Sequence, residues 1–191
     1  MDEDTFWTLI ENCRRRTPDP DERVMWLCGQ LACLTEQEIV RFQMCLDRAL
    51  APTSSWDLWA AADRIMGWCS SDSFFYFRLW LVGLGRDSFE RVAADPDSLA
   101  ELPDVKRLVG RDQEAWDEEE WLAWEELDYA AGQAFVQVTG RTEEEFYEAV
   151  EALGGEDPEL MDPAGEQWDA SGDEQAKRRL PRLSGLFPGH R

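Results

Sequence analysis

The run Cys69-Ser70-Ser71-Asp72 sets a thiol, two hydroxyls and a carboxylate side by side, just ahead of a long apolar stretch. If that stretch is helical, the backbone N–H groups at its start can stabilise a thiolate at Cys69 or bind an anion. Arg78 and Arg86 add two guanidiniums able to grip a carboxylate or phosphate, and Asp63, Glu125 or Glu126 can supply a general acid or base. A pocket around Cys69, Asp72, Arg78 and Arg86 would make a small enzyme or an anion-binding domain. The structural alternative is plainer: Cys69 packs as a small buried residue, Ser70, Ser71 and Asp72 cap the helix, and the charged groups pair inside a bundle. No histidine or lysine stands nearby in the sequence to serve as a base, so the structural reading is preferred and no catalytic residue is assigned.

Composition narrows the chemistry further. The single histidine, His190, lies in a polar C-terminal stretch, which leaves little material for Ser-His-Asp or Cys-His dyads or for histidine-rich metal sites. Lysine occurs only at Lys106 and Lys177, so there is no lysine-bearing phosphate loop and there are few candidates for a Schiff base. The five cysteines, at 13, 28, 33, 45 and 69, contain no C-x-x-C pair, and neither a disulfide framework nor a zinc ribbon is expected. Gly83-x-Gly85 lacks a third glycine and a preceding strand, so it reads as a helix terminus and no cofactor is implied. The chain starts Met-Asp-Glu-Asp, with no basic leader, and holds no apolar run of about 18 residues, so a cytoplasmic protein without membrane attachment is expected.

The charge is unevenly placed. Asp112 through Glu174 carries 22 acids against one base, Arg141, and supplies nearly all of the net charge of −22. Such a surface repels phosphate backbones, which makes direct nucleic-acid binding a poor expectation. Its simplest role is solvation; its sharper role is to receive a basic protein partner. Trp7, Trp26, Trp56, Trp59, Trp80 and Trp124 fall on apolar helical faces, and most of them are expected in the core. Trp116, Trp121 and Trp168 stand among acids and are expected exposed. Trp116, Glu118, Glu119, Glu120 and Trp121 form the candidate partner surface.

The elements that must position these groups are helices. Phe6, Leu9, Ile10 and Cys13 recur at helical spacing to about Arg16, and Val24, Leu27, Cys28 and Leu31 mark a second helix. Thr35 to Glu38 and Thr142 to Glu145 read as capping boxes, and Ser55 caps a helix from Trp56 to Met66 that ends at Gly67. On that helix Asp63 rides an otherwise apolar stripe. Asp72 through Leu84 is apolar nearly all round, as in an enclosed helix, and its lone mid-helix charge, Arg78, calls for a carboxylate from another helix, with Asp63 or Glu125 the candidates. A short helix over about Asp87–Ala94 and a long one from about Asp117 to Val138 follow.

At the central pair of helices the sequence becomes recognisable. Trp56-Asp57-Leu58-Trp59-Ala60-Ala61-Ala62, Cys69-Ser70-Ser71-Asp72, Tyr76-Phe77-Arg78, Trp80-Leu81, Gly85-Arg86 and Asp95-Pro96-Asp97-Ser98-Leu99 resemble the bacterial family catalogued as domain of unknown function 4240. The resemblance runs from Met1 through Tyr129-Ala130-Ala131 and Phe135, about two-thirds of the chain, and leaves the C-terminal part outside. Gly67-Trp68 stands where the family pattern has Gly-Gly, and Ser71 where it has a second acid, which weakens any reading of the loop as a metal site. The resemblance implies a fold and a motif, and no reaction.

The expected protein is therefore all-α: a single orthogonal bundle of about seven or eight helices over residues 1–153, with an irregular acidic C-terminal extension over 154–191. One turn of helix is expected near Gln175 to Leu180. Lys177, Arg178, Arg179 and Arg182, together with Leu180, Leu183, Leu186 and Phe187, suit this end to fold back onto the acidic helices. The expected function is a non-catalytic interaction or regulatory module.

Overall fold

Capping residues and apolar spacing set the helices where the sequence places them. The computed structural model describes residues 1–155, 162–170 and 172–188, and regular structure among them is helical, with no strand. The α-helices are α1 (Glu3–Arg16), α2 (Pro20–Leu31), α3 (Glu36–Leu50), α4 (Trp56–Met66), α5 (Ser71–Gly83), α6 (Arg86–Ala94), α7 (Pro103–Lys106), α8 (Glu126–Thr139), α9 (Glu143–Ala152), α10 (Asp173–Arg179) and α11 (Pro181–Leu186). Both expected capping boxes close, at Thr35 with Glu38 and at Thr142 with Glu145. Ser55 and Ser70 cap α4 and α5 by accepting the N–H groups of Leu58 and Ser73. α1 is capped by Asp2, two or three residues earlier than expected.

α5 sits inside, packed by α1, α3, α4 and α6, as its unbroken apolar surface requires. α8 lies across α2 and α3, and α9 closes on α3 and α8. Phe6, Phe42, Phe77, Phe135 and Phe146 are fully buried in the shared interior. Among the described residues no helix is long and apolar enough to cross a membrane.

Three expectations change. The helix expected from Asp117 begins only at Glu126, and residues 112–125 run as loop with two short 3-10 turns. A helix would set Asp117 and Glu120 on one face three residues apart, whereas here Glu120 pairs with Arg111 and accepts the Asp117 N–H. It would also point Leu122 and Trp124 to different faces, whereas both are buried here. Trp116, expected exposed, is buried edge-on against Trp121, with ring centres 5.1 Å apart. Trp168 is half-buried, donating its indole N–H to Asp57 at 2.8 Å beneath the Arg179 guanidinium.

The segment expected to be irregular contains α10 and α11, and it folds back to a different place. α11 packs on α4 and the 3-10 turn at Pro96–Glu101. Arg179 pairs with Asp57 and Glu166, and Arg182 with Asp95, Asp97 and Glu101. Of these five acids only Glu166 belongs to the 112–174 segment. Leu180 and Leu183 are buried, so apolar packing holds the segment and charge selects its seat.

Candidate functional site

The turn between α4 and α5 answers the first question raised by the sequence. Gly67 adopts the left-handed conformation (φ 72°), which lets the chain reverse and brings Cys69 back over α4. The Asp63 carboxylate accepts the Cys69 N–H (3.0 Å), and the Trp59 indole donates to the Cys69 carbonyl (2.9 Å). Trp59 is itself stacked between Trp56 and Phe74. Asp63 thus stands on an apolar stripe because it secures this turn. Burial, with the Asp63 charge as the lesser cause, pushes the Cys69 thiol up to about 12. The dipole-stabilised thiolate entertained for this position is therefore corrected: desolvation outweighs the helix start. Ser71 and Asp72 are exposed and hydrogen-bonded to each other.

The arginines serve other local structures. Arg78 is buried between the Phe74 and Phe75 rings and donates to Thr53 Oγ1 (3.2 Å) and the Leu50 carbonyl (3.3 Å), bracing the turn after α3. Glu125, one of the two carboxylates expected to meet it, instead accepts the phenols of Tyr76 (3.0 Å) and Tyr129 (3.1 Å). Arg86 opens α6 and is shared by Glu3, Asp4 and Glu90. It lines a cleft of about 380 Å³ with Arg14 and Arg15. Arg14 donates to the Leu84 carbonyl and Arg15 pairs with Glu11, so each guanidinium of this cleft has an internal acceptor.

The acidic loop forms a different kind of site. A groove of about 620 Å³ runs between the start of α2, α5 and the loop leading into α8. Seven carboxylates line it, from Asp19, Asp21, Asp117, Glu118, Glu119, Glu125 and Glu126, together with Tyr76, Pro20, Ala123 and the exposed Trp121. Among the described residues no basic side chain lines it. Its loop wall is fixed at two points: the Trp124 N–H donates to the Tyr76 carbonyl (3.1 Å), and the Trp124 ring lies against the α5 backbone at Gly83. A second groove of about 500 Å³, lined by Tyr129, Gly132, Gln133, Val136, Gln137 and Glu143, continues along α8. Glu125 and its bonded partner Tyr129 join the two.

Three members of the expected partner surface, Glu118, Glu119 and Trp121, line the acidic groove. Glu120 turns away to Arg111 and holds the Asp117 N–H (3.0 Å), while Trp116 supports Trp121 from below. Asp19, Asp21 and Tyr76 were not foreseen. In the sequence Asp19-Pro20-Asp21 reads only as a helix stop and start, and nothing local links it to a loop a hundred residues on. The Glu125 carboxylate raises the phenol pKa of both Tyr76 and Tyr129, keeping the pair neutral donors. Among the described residues no three His, Cys, Asp or Glu side chains group so as to hold a metal ion. The groove's carboxylates are spread along its walls.

Comparison with known proteins adds one match. No curated protein and no solved structure matches the chain. The model of one family covers residues 1–137, from the start of α1 almost to the end of α8. That span includes the α4–α5 turn, the buried Arg78 and every residue lining the acidic groove. The chain belongs to the family described as Protein of unknown function (DUF4240).

Proposed function

We propose that this protein is a non-catalytic interaction module whose acidic groove receives a basic segment of a partner protein. One observation carries the reading: seven carboxylates and an exposed tryptophan line one groove that, among the described residues, no basic side chain lines. A guanidinium or ammonium entering it meets carboxylates on the walls and the face of an indole, and gains both ion pairing and cation–π attraction. The neighbouring groove along α8, with Tyr129 and Val136, suits apolar residues that follow the basic ones. The anion-binding alternative draws less support, since Arg78, Arg86, Arg14 and Arg15 all donate to groups within the chain.

The test is titration of a short synthetic peptide rich in arginine and leucine, followed by tryptophan fluorescence, against a glutamate-rich control. The arginine peptide should bind saturably and lose affinity as salt rises. Trp121→Ala should weaken it by about 2 kcal/mol, as for a central aromatic contact, and joint Glu118→Gln, Glu119→Gln substitution by less, since exposed charges contribute about 0 to 1 kcal/mol each. Equal binding of both peptides, or an affinity indifferent to all of these substitutions, overturns the reading.

A further inference from the structure

α11 is held at both of its ends by charged side chains from distant parts of the chain. Asp97 is only 4% exposed, and its carboxylate accepts the backbone N–H groups of Arg182 (3.0 Å) and Leu183 (2.9 Å) as well as Arg182 Nε (2.9 Å). α11 has no capping side chain of its own, so an acid 85 residues away in sequence takes that role. At the other end Arg64, also buried, donates Nε to the carbonyl of Phe187 (2.8 Å), the residue that closes α11. Its Nη1 reaches the Ala170 carbonyl (2.9 Å). An acid at the N–H end and a cation at the carbonyl end is the polarity a helix dipole favours.

Between these two anchors α11 lies on α4 and the Pro96–Glu101 turn, with Leu183 fully buried. Arg64, Asp95, Asp97 and Glu101 all fall within the family-matched residues 1–137, whereas α10 and α11 lie beyond them. The family unit therefore carries a receptor, and the helix that fills it comes from outside that unit. Six residues are too few to sustain a helix in water, so the receptor imposes the helical form on its occupant. The Arg182 contacts to Asp95 and Glu101 are partly exposed and open to screening by salt, a setting in which a segment can open without the core.

We propose that the groove between α4 and Pro96–Glu101 is a docking site for a short helix of a partner protein, one with an arginine in its first turn followed by leucine, and that α11 is its displaceable internal occupant. This rests on neither the acidic groove nor its ligand. The partner's arginine takes the place of Arg182 among Asp95, Asp97 and Glu101, its leucine the place of Leu183, and its closing carbonyl the place of Phe187 on Arg64.

The test uses the full-length protein, a fluorescent peptide with the sequence of residues 172–188, and hydrogen exchange. In the unmodified protein the α10 and α11 amides should exchange faster than those of α3 and α8, under conditions where the core stays folded. Arg182→Ala weakens the internal occupant, so the peptide should bind this variant at least about tenfold more tightly than the unmodified protein. Adding Asp97→Asn to Arg182→Ala should reverse the gain, and a peptide with alanine at the position of Arg182 should not bind. Trp121→Ala should leave the binding unchanged; loss there with survival in the Asp97→Asn background places the peptide in the acidic groove and overturns the proposal. Should Arg182→Ala not fold, Arg179→Ala releases the same segment from Asp57 and Glu166 and gives the same comparison. Exchange of α10 and α11 only through global unfolding, or an opened groove that ignores the peptide, also overturns it.

Discussion

Asp63 accepts a backbone N–H in a turn that buries a thiol, and this pairing explains both residues. A carboxylate beside Cys69 and a desolvated surrounding each oppose ionisation, so the thiol stays protonated far above neutral pH. Cys13 is held up to about 11 by burial, and burial also raises Cys28 and Cys45. Two outcomes follow. Cys33, the exposed thiol, should react first with a disulfide reagent at neutral pH, and Cys13 and Cys69 only after unfolding. The unfolded chain begins to lose thiol protons near pH 9 while the folded chain keeps them, so unfolding is favoured increasingly from pH 9 towards 11. Urea midpoints measured at pH 8 and above 10 should fall, and fall less in a Cys13→Ala, Cys69→Ala variant. The anomaly of Asp63 was visible in the sequence as one charge on an apolar stripe. Its partner was hidden because the contact exists only once Gly67 turns the chain.

At the scale of elements, Gly83 decides where the acidic loop sits. A Cβ there would come within 2.7 Å of the Trp124 ring, far inside contact distance. In an ordinary helix Gly→Ala gains about 0.5 to 1 kcal/mol; here the ring must move, and overpacking of a filled site costs about 1 to 3 kcal/mol. Gly83→Ala should therefore lower stability, seen as a lower urea midpoint, and also weaken basic-peptide binding, because Trp124 anchors the wall that carries Trp121 and Glu125. The caps at Thr35, Ser55, Ser70 and Thr142 were legible because capping is settled within four residues. The course of 112–125 was not. Its conformation answers to Tyr76 and Gly83 on α5, and helical spacing carries no record of those neighbours.

Over the whole molecule, a net charge of −22 sets repulsion against packing. Ion pairs made by Arg86, Arg111, Arg141, Arg179 and Arg182 offset part of it, mostly at exposed positions where each contributes little. Added salt should screen the repulsion and raise Tm, by about 2 to 4 °C for each kcal/mol relieved in a chain of this size. The same salt should weaken the basic peptide, and a thermal scan beside a titration at two salt concentrations checks both signs at once. The all-α class and the acidic segment were evident from composition and periodicity, while the seat of the C-terminal helices was not. Opposite charge pointed to the largest acidic stretch, but Asp95, Asp97 and Glu101 won because a buried place for Leu180 and Leu183 lies beside them.

The long sequence interval between Asp97 and α11 also bears on how the protein is made. Residues 95–101 leave the ribosome well before residues 181–187 are joined to the chain, and early segments begin to fold as they emerge. During that interval the backbone N–H groups of Arg182 and Leu183, which the Asp97 carboxylate accepts in the folded chain, are not yet synthesised. The seat for α11 is thus translated before its occupant, and the C-terminal helices are the last part of the described fold to be made.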